Sequence, residues 1–144
     1  MTNALTTDPG LAMCFSVQVD GQSLGYFSTC EGLGCEVLLE QHEEGGNNEF
    51  VHQLPIRIKY DHVTLTRPLD SDSDLVARWF AGMGGIITRT IASIRALTAD
   101  GTEITSWTLK GVIPVRWKGP SFNAETNKVA METLELAHHG FLKI

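Results

Sequence analysis

EGLGCEVLLEQHEEGGNNEFVHQLPIRIKYDHVTLTRPL, residues 31–69, decides how the chain is read. Leu33, Cys35, Val37 and Leu39 fall on one parity and Glu36 and Glu40 on the other, the two-residue period of an amphipathic strand, with Leu38 as the exception. HEEGGNNEF, residues 42–50, holds two glycines and two asparagines that accept positive φ, so a polar loop or hairpin tip is expected to stand clear of the core. Strand character returns over residues 50–54, is interrupted at Pro55, and strengthens from Ile56 to Thr66, where both parities carry apolar side chains. Such a strand needs cover on both faces. The stretch carries no catalytic signature; it offers alternating β-formers, a long polar insertion and backbone edges.

Upstream, residues 1–10 are polar, end in Asp8-Pro9-Gly10 and predict a flexible arm before a single domain at 11–144. Phe15, Val17 and Val19 alternate with polar neighbours as a strand does, Asp20-Gly21 supplies a hairpin turn, and residues 24–30 continue as a second strand. Downstream, one helix follows Pro68, with Ser71 or Ser73 as N-cap, Asp72 and Asp74 at its positive end, and a stripe of Leu75, Val76, Trp79, Phe80 and Met83. Gly82, Gly84 and Gly85 end it. Two further strands, 90–97 and 103–117, flank Ala99-Asp100-Gly101; Pro114 marks an edge or a bulge in the second. Residues 119–128 are a polar connection, and 129–141 predict a last strand with a bulge between Met131 and Leu134. The sum is a mainly-β fold, an antiparallel barrel or sandwich of about seven strands with one flanking helix.

Length and composition fit one domain: 144 residues, 42% hydrophobic, 19% charged, 14 glycines. A formal charge of -6 argues against nonspecific nucleic-acid binding, which rests on basic residues displacing phosphate counterions. The apolar runs fall short of a membrane helix and residues 1–10 lack signal-peptide character, so a soluble chain made in the cytoplasm is expected. Cys14, Cys30 and Cys35 have no CxxC spacing and predict reduced, buried thiols.

The candidate chemistries read as structural. Asp70-Ser71-Asp72-Ser73-Asp74 opens like a calcium loop, but Leu75 stands where that loop needs glycine and Ala81 where it needs glutamate, leaving helix-capping acids. His42, His52 and His62, spaced by ten, match no short metal motif, and adjacent His138 and His139 would point to opposite faces of a strand. Gly82-Met83-Gly84-Gly85 follows a helix and lacks a phosphate-loop ending. Glu43 with Glu44, and Glu132 with Glu135, read as solvated or lumen-facing charge. No enzyme activity, metal or cofactor is expected.

Phe15, Val17, Val19, Asp20-Gly21, Phe27, Gly32-Leu33, Glu44-Gly45-Gly46, Leu54-Pro55, Lys59-Tyr60 and Thr64-Leu65-Thr66-Arg67 occur in an order that resembles the inner tube proteins of contractile injection systems. That family covers phage tail tubes, tailocin and extracellular injection particle tubes and, more distantly, the haemolysin-coregulated protein of type VI secretion. The resemblance spans nearly everything after residue 10. It implies a structural protein that self-assembles into hexameric rings stacked as a hollow tube, in a phage tail or injection particle. Sheath, baseplate and tape-measure or cap proteins are its implied partners, DNA or an effector its implied cargo, and this chain is not expected to insert in a membrane. Gln53, Ile56 and Pro68 depart from the family pattern, leaving room for a tube-initiating or baseplate subunit; a metal- or ligand-binding barrel is the remaining alternative. Under the resemblance, Glu43, Glu44, Gly45, Gly46, Asn47, Asn48, Glu49, Phe50, Leu54 and Pro55 are expected at inter-subunit contacts, and Glu36, Glu40 and Glu135 at the lumen.

Overall fold

The computed structural model describes residues 13–42, 52–120, 125 and 130–143. β1 (Met13–Val19) and β2 (Gln22–Phe27) form an antiparallel hairpin. Asp20 and Gly21 both take positive φ, 51° and 77°, the backbone demanded by a two-residue turn that follows strand twist. β2 passes through Ser28 into β3 (Thr29–Glu31). β4 (Cys35–His42) and β5 (His52–Tyr60) follow, then β6 (Val63–Pro68), α1 (Leu75–Gly82), β7 (Thr90–Thr98), β8 (Glu103–Lys118), β9 (Met131–Ala137) and β10 (Phe141–Lys143).

The main sheet runs β2-β1-β7-β8-β9-β6-β3, with β10 also on β8. Its first and last members are consecutive in the chain, and the Ser28 N–H donates to the Thr66 carbonyl at 2.8 Å, so the sheet curls back on itself. β8 makes the opposite corner. Residues up to Val112 pair with β7 and residues from Ile113 with β9, the change following Gly111 at φ 62°. Strands that switch layers at bends build orthogonal packings of this kind.

Alternation along each strand fills the inside. Val17 and Val19, Leu24 and Phe27, Val63 and Leu65, Ala92 and Ile94, Leu109 and Val112, and Leu134 and Leu136 share one core. Each large aliphatic among them contributes about 1.5–3 kcal/mol by leaving water. The helix closes one side with Val76 buried and Trp79 and Phe80 packed against the core.

Four local readings need correction. The helix N-cap is Asp74, without a side-chain cap bond; Ser73 Oγ instead accepts from the Asp70 N–H at 2.7 Å, tightening the turn before the helix. The strand through 56–66 is two strands, broken at Asp61-His62, and Pro55 lies within β5, where the register to β4 shifts at Leu38/Leu39. The strand expected over 129–141 is β9 and β10, with His138, His139 and Gly140 in the turn between them rather than alternating in a strand, and β9 has no bulge between Met131 and Leu134: Glu132, Leu134 and Leu136 all point inward, because Glu132 is buried rather than solvated. Cys35 is exposed and Cys14 and Cys30 are only partly covered, so the thiols are free but not all buried.

Candidate functional site: an unpartnered β-ribbon

β4 and β5 form a two-stranded sheet of their own, separate from the barrel sheet. A lone two-stranded ribbon is marginal in water. This one is nevertheless apolar: Val37, Leu39, Leu54, Ile56 and Ile58 are each about half exposed, with Ile56 at 60%. Registry explains the pattern. Cys35 lies opposite Tyr60, Val37 opposite Ile58 and, past the bulge, Leu39 opposite Pro55; between them Glu36 faces Lys59, Leu38 faces Arg57 and Glu40 faces Leu54. Cross-strand neighbours share a face, so one side is mostly aliphatic and the other carries Glu36, Arg57, Lys59 and Glu40.

The root of the ribbon is fixed to the barrel. The Asp61 N–H donates to the Gly34 carbonyl at 3.2 Å. Gly32, at φ 90°, passes so close to the His62 carbonyl that a Cβ there would collide with it. Tyr60 packs its ring on His138 and Phe141, at centroid distances of 5.4 and 5.9 Å. Pairing to any other strand ends at this root, so along most of their length both outer edges of the ribbon present backbone N–H and C=O groups without a ladder partner among the described residues. Such edges are templates for another chain.

Of the sequence-predicted contact residues, Leu54 and Pro55 stand on this ribbon, whereas Glu43, Glu44, Gly45, Gly46, Asn47, Asn48, Glu49 and Phe50 lie outside the described residues. The three lumen candidates do not share one element. Glu36 and Glu40 are exposed on β4, while Glu135 is on β9, where its Oε2 meets His62 Nδ1 at 2.7 Å. Sequence reasoning did not single out Val37, Leu39 and Ile58: their alternation was legible, but it is the alternation of any core strand. A second apolar exposure, Ile86 and Ile87 after the helix, was signalled only by the GGII text.

Among the described residues no three His, Cys, Asp or Glu gather as a metal site would require, and no helix is long and apolar enough to cross a membrane. Asp70 Oδ1 accepts from the Asp72 N–H at 2.8 Å, a local turn before the helix. A cavity of about 320 Å³ between the helix end and the β1–β2 turn is lined by Asp20, Arg78, Trp79 and Met83 among others.

Residues 11–142 match the family described as T4-like virus tail tube protein gp19. Curated protein sequences give no match. Among solved structures, a chain of the anti-feeding prophage baseplate aligns at TM-score 0.73 and 22% identity, over 93% of this chain and 93% of its own. A chain of the sheath–tube complex of an extracellular contractile injection system aligns at 0.76 and 17%, over 99% and 96%. Hcp1 from Salmonella typhimurium is more distant, at 0.56 and 14%, over 89% and 83%. At these identities the structural likeness speaks to the fold.

Proposed function

The chain belongs to the T4-like virus tail tube protein gp19 family, and from that premise we propose that its copies close into hexameric rings that stack as the hollow inner tube of a phage tail or contractile injection particle. The observation that carries the reading is the β4–β5 ribbon, a two-stranded sheet with open edges and half-exposed Val37, Leu39, Ile56 and Ile58. A ring needs one interface that closes by rotation, and a stack needs a second along the axis. Strand pairing at the ribbon's edges and burial of its aliphatic side on a neighbour supply the first. The Glu43–Phe50 segment between β4 and β5, with Leu54 and Pro55, reaches the adjacent ring or subunit.

With the aliphatic side against a neighbour, the face that carries Glu36, Glu40, Arg57 and Lys59 turns toward the channel, where Glu135 adds an acid to two balanced pairs. A lining of mixed charge with a slight acidic excess gives DNA or an acidic effector little to adhere to. Residues 11–144 act as one tube domain behind the 1–10 arm, assembled in the cytoplasm of the producing cell, with sheath, baseplate and cap proteins as outer and terminal partners. The role is architectural rather than enzymatic. Mass measurement of the purified protein tests this: hexamers and their multiples are expected, and a strict monomer at every concentration would refute it.

A second reading keeps the fold and changes the position. The alignment to an anti-feeding prophage baseplate chain supports a ring at the tube's starting end. Copy number per particle separates the two, one ring against many.

A further inference from the structure

Beneath the root of the ribbon sits a histidine that the assembly reading does not use. His138 is 5% exposed, in the corner where β9 turns into β10. Its ring meets Tyr60, the last residue of β5, at 5.4 Å and Phe141 at 5.2 Å, and those two rings meet each other at 5.9 Å, so the three form one triangular cluster. The Gly140 N–H donates to Nδ1 at 3.1 Å, which places the proton of the neutral ring on Nε2. Among the described residues no geometric hydrogen bond reaches Nε2, and the Asp61 backbone is the polar group nearest in effect. Burial in an aromatic cluster accepts a neutral imidazole and penalises a charged one.

We propose that His138 is an acid-sensitive latch: neutral, it seats the base of the β4–β5 ribbon on the barrel, and protonated, it leaves its cluster with Tyr60 and Phe141 and releases that base. Among the described residues, the groups facing it offer no compensating anion. From the ribbon side come Tyr60 and the Asp61 backbone; His62 is already paired with Glu135 on β9; His139 is adjacent; Lys110 of β8 lies with Tyr60 against Gly140. Burial holds the His138 pKa below its ordinary 6.5, His139 and His62 push it the same way, and the Gly140 and Asp61 backbones only partly oppose them. The folded state therefore binds fewer protons than the open one, so the latch is intact above about pH 6.5 and weakens as pH falls below it. The opening of the root belongs to the single protomer; only its consequence, acid-sensitive assembly, rests on the tube reading.

Hydrogen exchange of the full chain, read by mass spectrometry between pH 8 and 5 and corrected for intrinsic rates, follows peptides from β4 and β5 against peptides from β7. Ribbon protection should fall by up to about tenfold per pH unit below 6.5, with β7 unchanged. His138→Gln and His138→Phe should remove the pH dependence, while His62→Gln and His139→Gln should retain it. An equal acid response in wild type and both His138 variants would overturn the latch. Exchange at the imidazole C2–H reads His138 in the wild type directly, and a pKa at or above 6.5 there would also overturn it. Dilute protomer serves for both readings, so a chain that never forms rings can still open its ribbon with acid.

Discussion

Arg67 and Glu132 form an ion pair wholly inside the barrel: Nε donates to Oε2 at 2.8 Å, and the two side chains are 1% and 0% exposed. Both charges make further hydrogen bonds. The Arg67 Nη2 donates to the Asp72 carbonyl at 2.7 Å, Nη1 donates to the Leu24 carbonyl, and the guanidinium lies 4.3 Å from the centre of the Phe27 ring. Glu132 Oε1 accepts from the Trp117 indole N–H at 2.8 Å. The pair thus joins β6 and β9 to β2, β8 and the entry of the helix. Gly25 leaves the room, since a Cβ there would press on the guanidinium and on Asp72.

Removing one partner strands a buried charge, a loss of about 3–5 kcal/mol, whereas replacing both by apolar residues of similar size is often neutral. Arg67→Met and Glu132→Leu should each lower the midpoint of urea unfolding strongly, and the double variant should recover much of it. Full additivity of the two losses would show that they do not act as a pair.

The fold was legible where the sequence obeys period two and where turns carry their own chemistry, as at Asp20-Gly21 and Asp100-Gly101. It was not legible at Glu132, because a carboxylate inside a barrel can be recognised only once Arg67, 65 positions away, is known to meet it; the apparent bulge was that charge seen without its partner. The ribbon failed in the opposite sense. Val37, Leu39 and Ile58 read as core because alternation reports a buried face without saying whether the cover belongs to the same chain. Of the predicted contacts, Leu54 and Pro55 fell on the exposed ribbon.

Charging the aliphatic side of the ribbon separates folding from assembly. Val37→Lys with Ile58→Glu places a cross-strand pair of opposite charges on positions already about half exposed, so thermal stability of the protomer should change little, within about 1 kcal/mol. Rings and tubes should be lost. Val-Val in place of Gly45-Gly46 is expected to act alike on polymerisation with the monomer still folded. Normal tubes from either variant, seen by electron microscopy, would remove the ribbon and its tip from the interface.

Gly32→Ala tests the hinge between barrel and ribbon. Positive φ and the collision with the His62 carbonyl should cost about 3 kcal/mol or more, while Gly84→Ala, also at positive φ but with open space around it, should cost less. Comparable melting temperatures for the two variants would contradict the close approach.

The cysteines report on the same region. Burial, with Glu31 alongside, pushes the Cys30 thiol up to about 11, so at pH 8 it holds almost no thiolate, the reactive form. Cys35 is exposed at the ribbon's base and should be alkylated by iodoacetamide well before Cys30 in the protomer. On assembly Cys35 should become protected. Equal labelling of Cys35 before and after tube formation would place the ribbon's base outside the contact.

The central claim is that this chain is a self-assembling tube subunit, and electron microscopy of the purified wild-type protein tests it most directly. Rings with an open centre, and at higher concentration hollow tubes with six-fold symmetry, are the predicted result. Dispersed single protomers without rings, under conditions where hydrogen exchange shows the barrel folded, would contradict it.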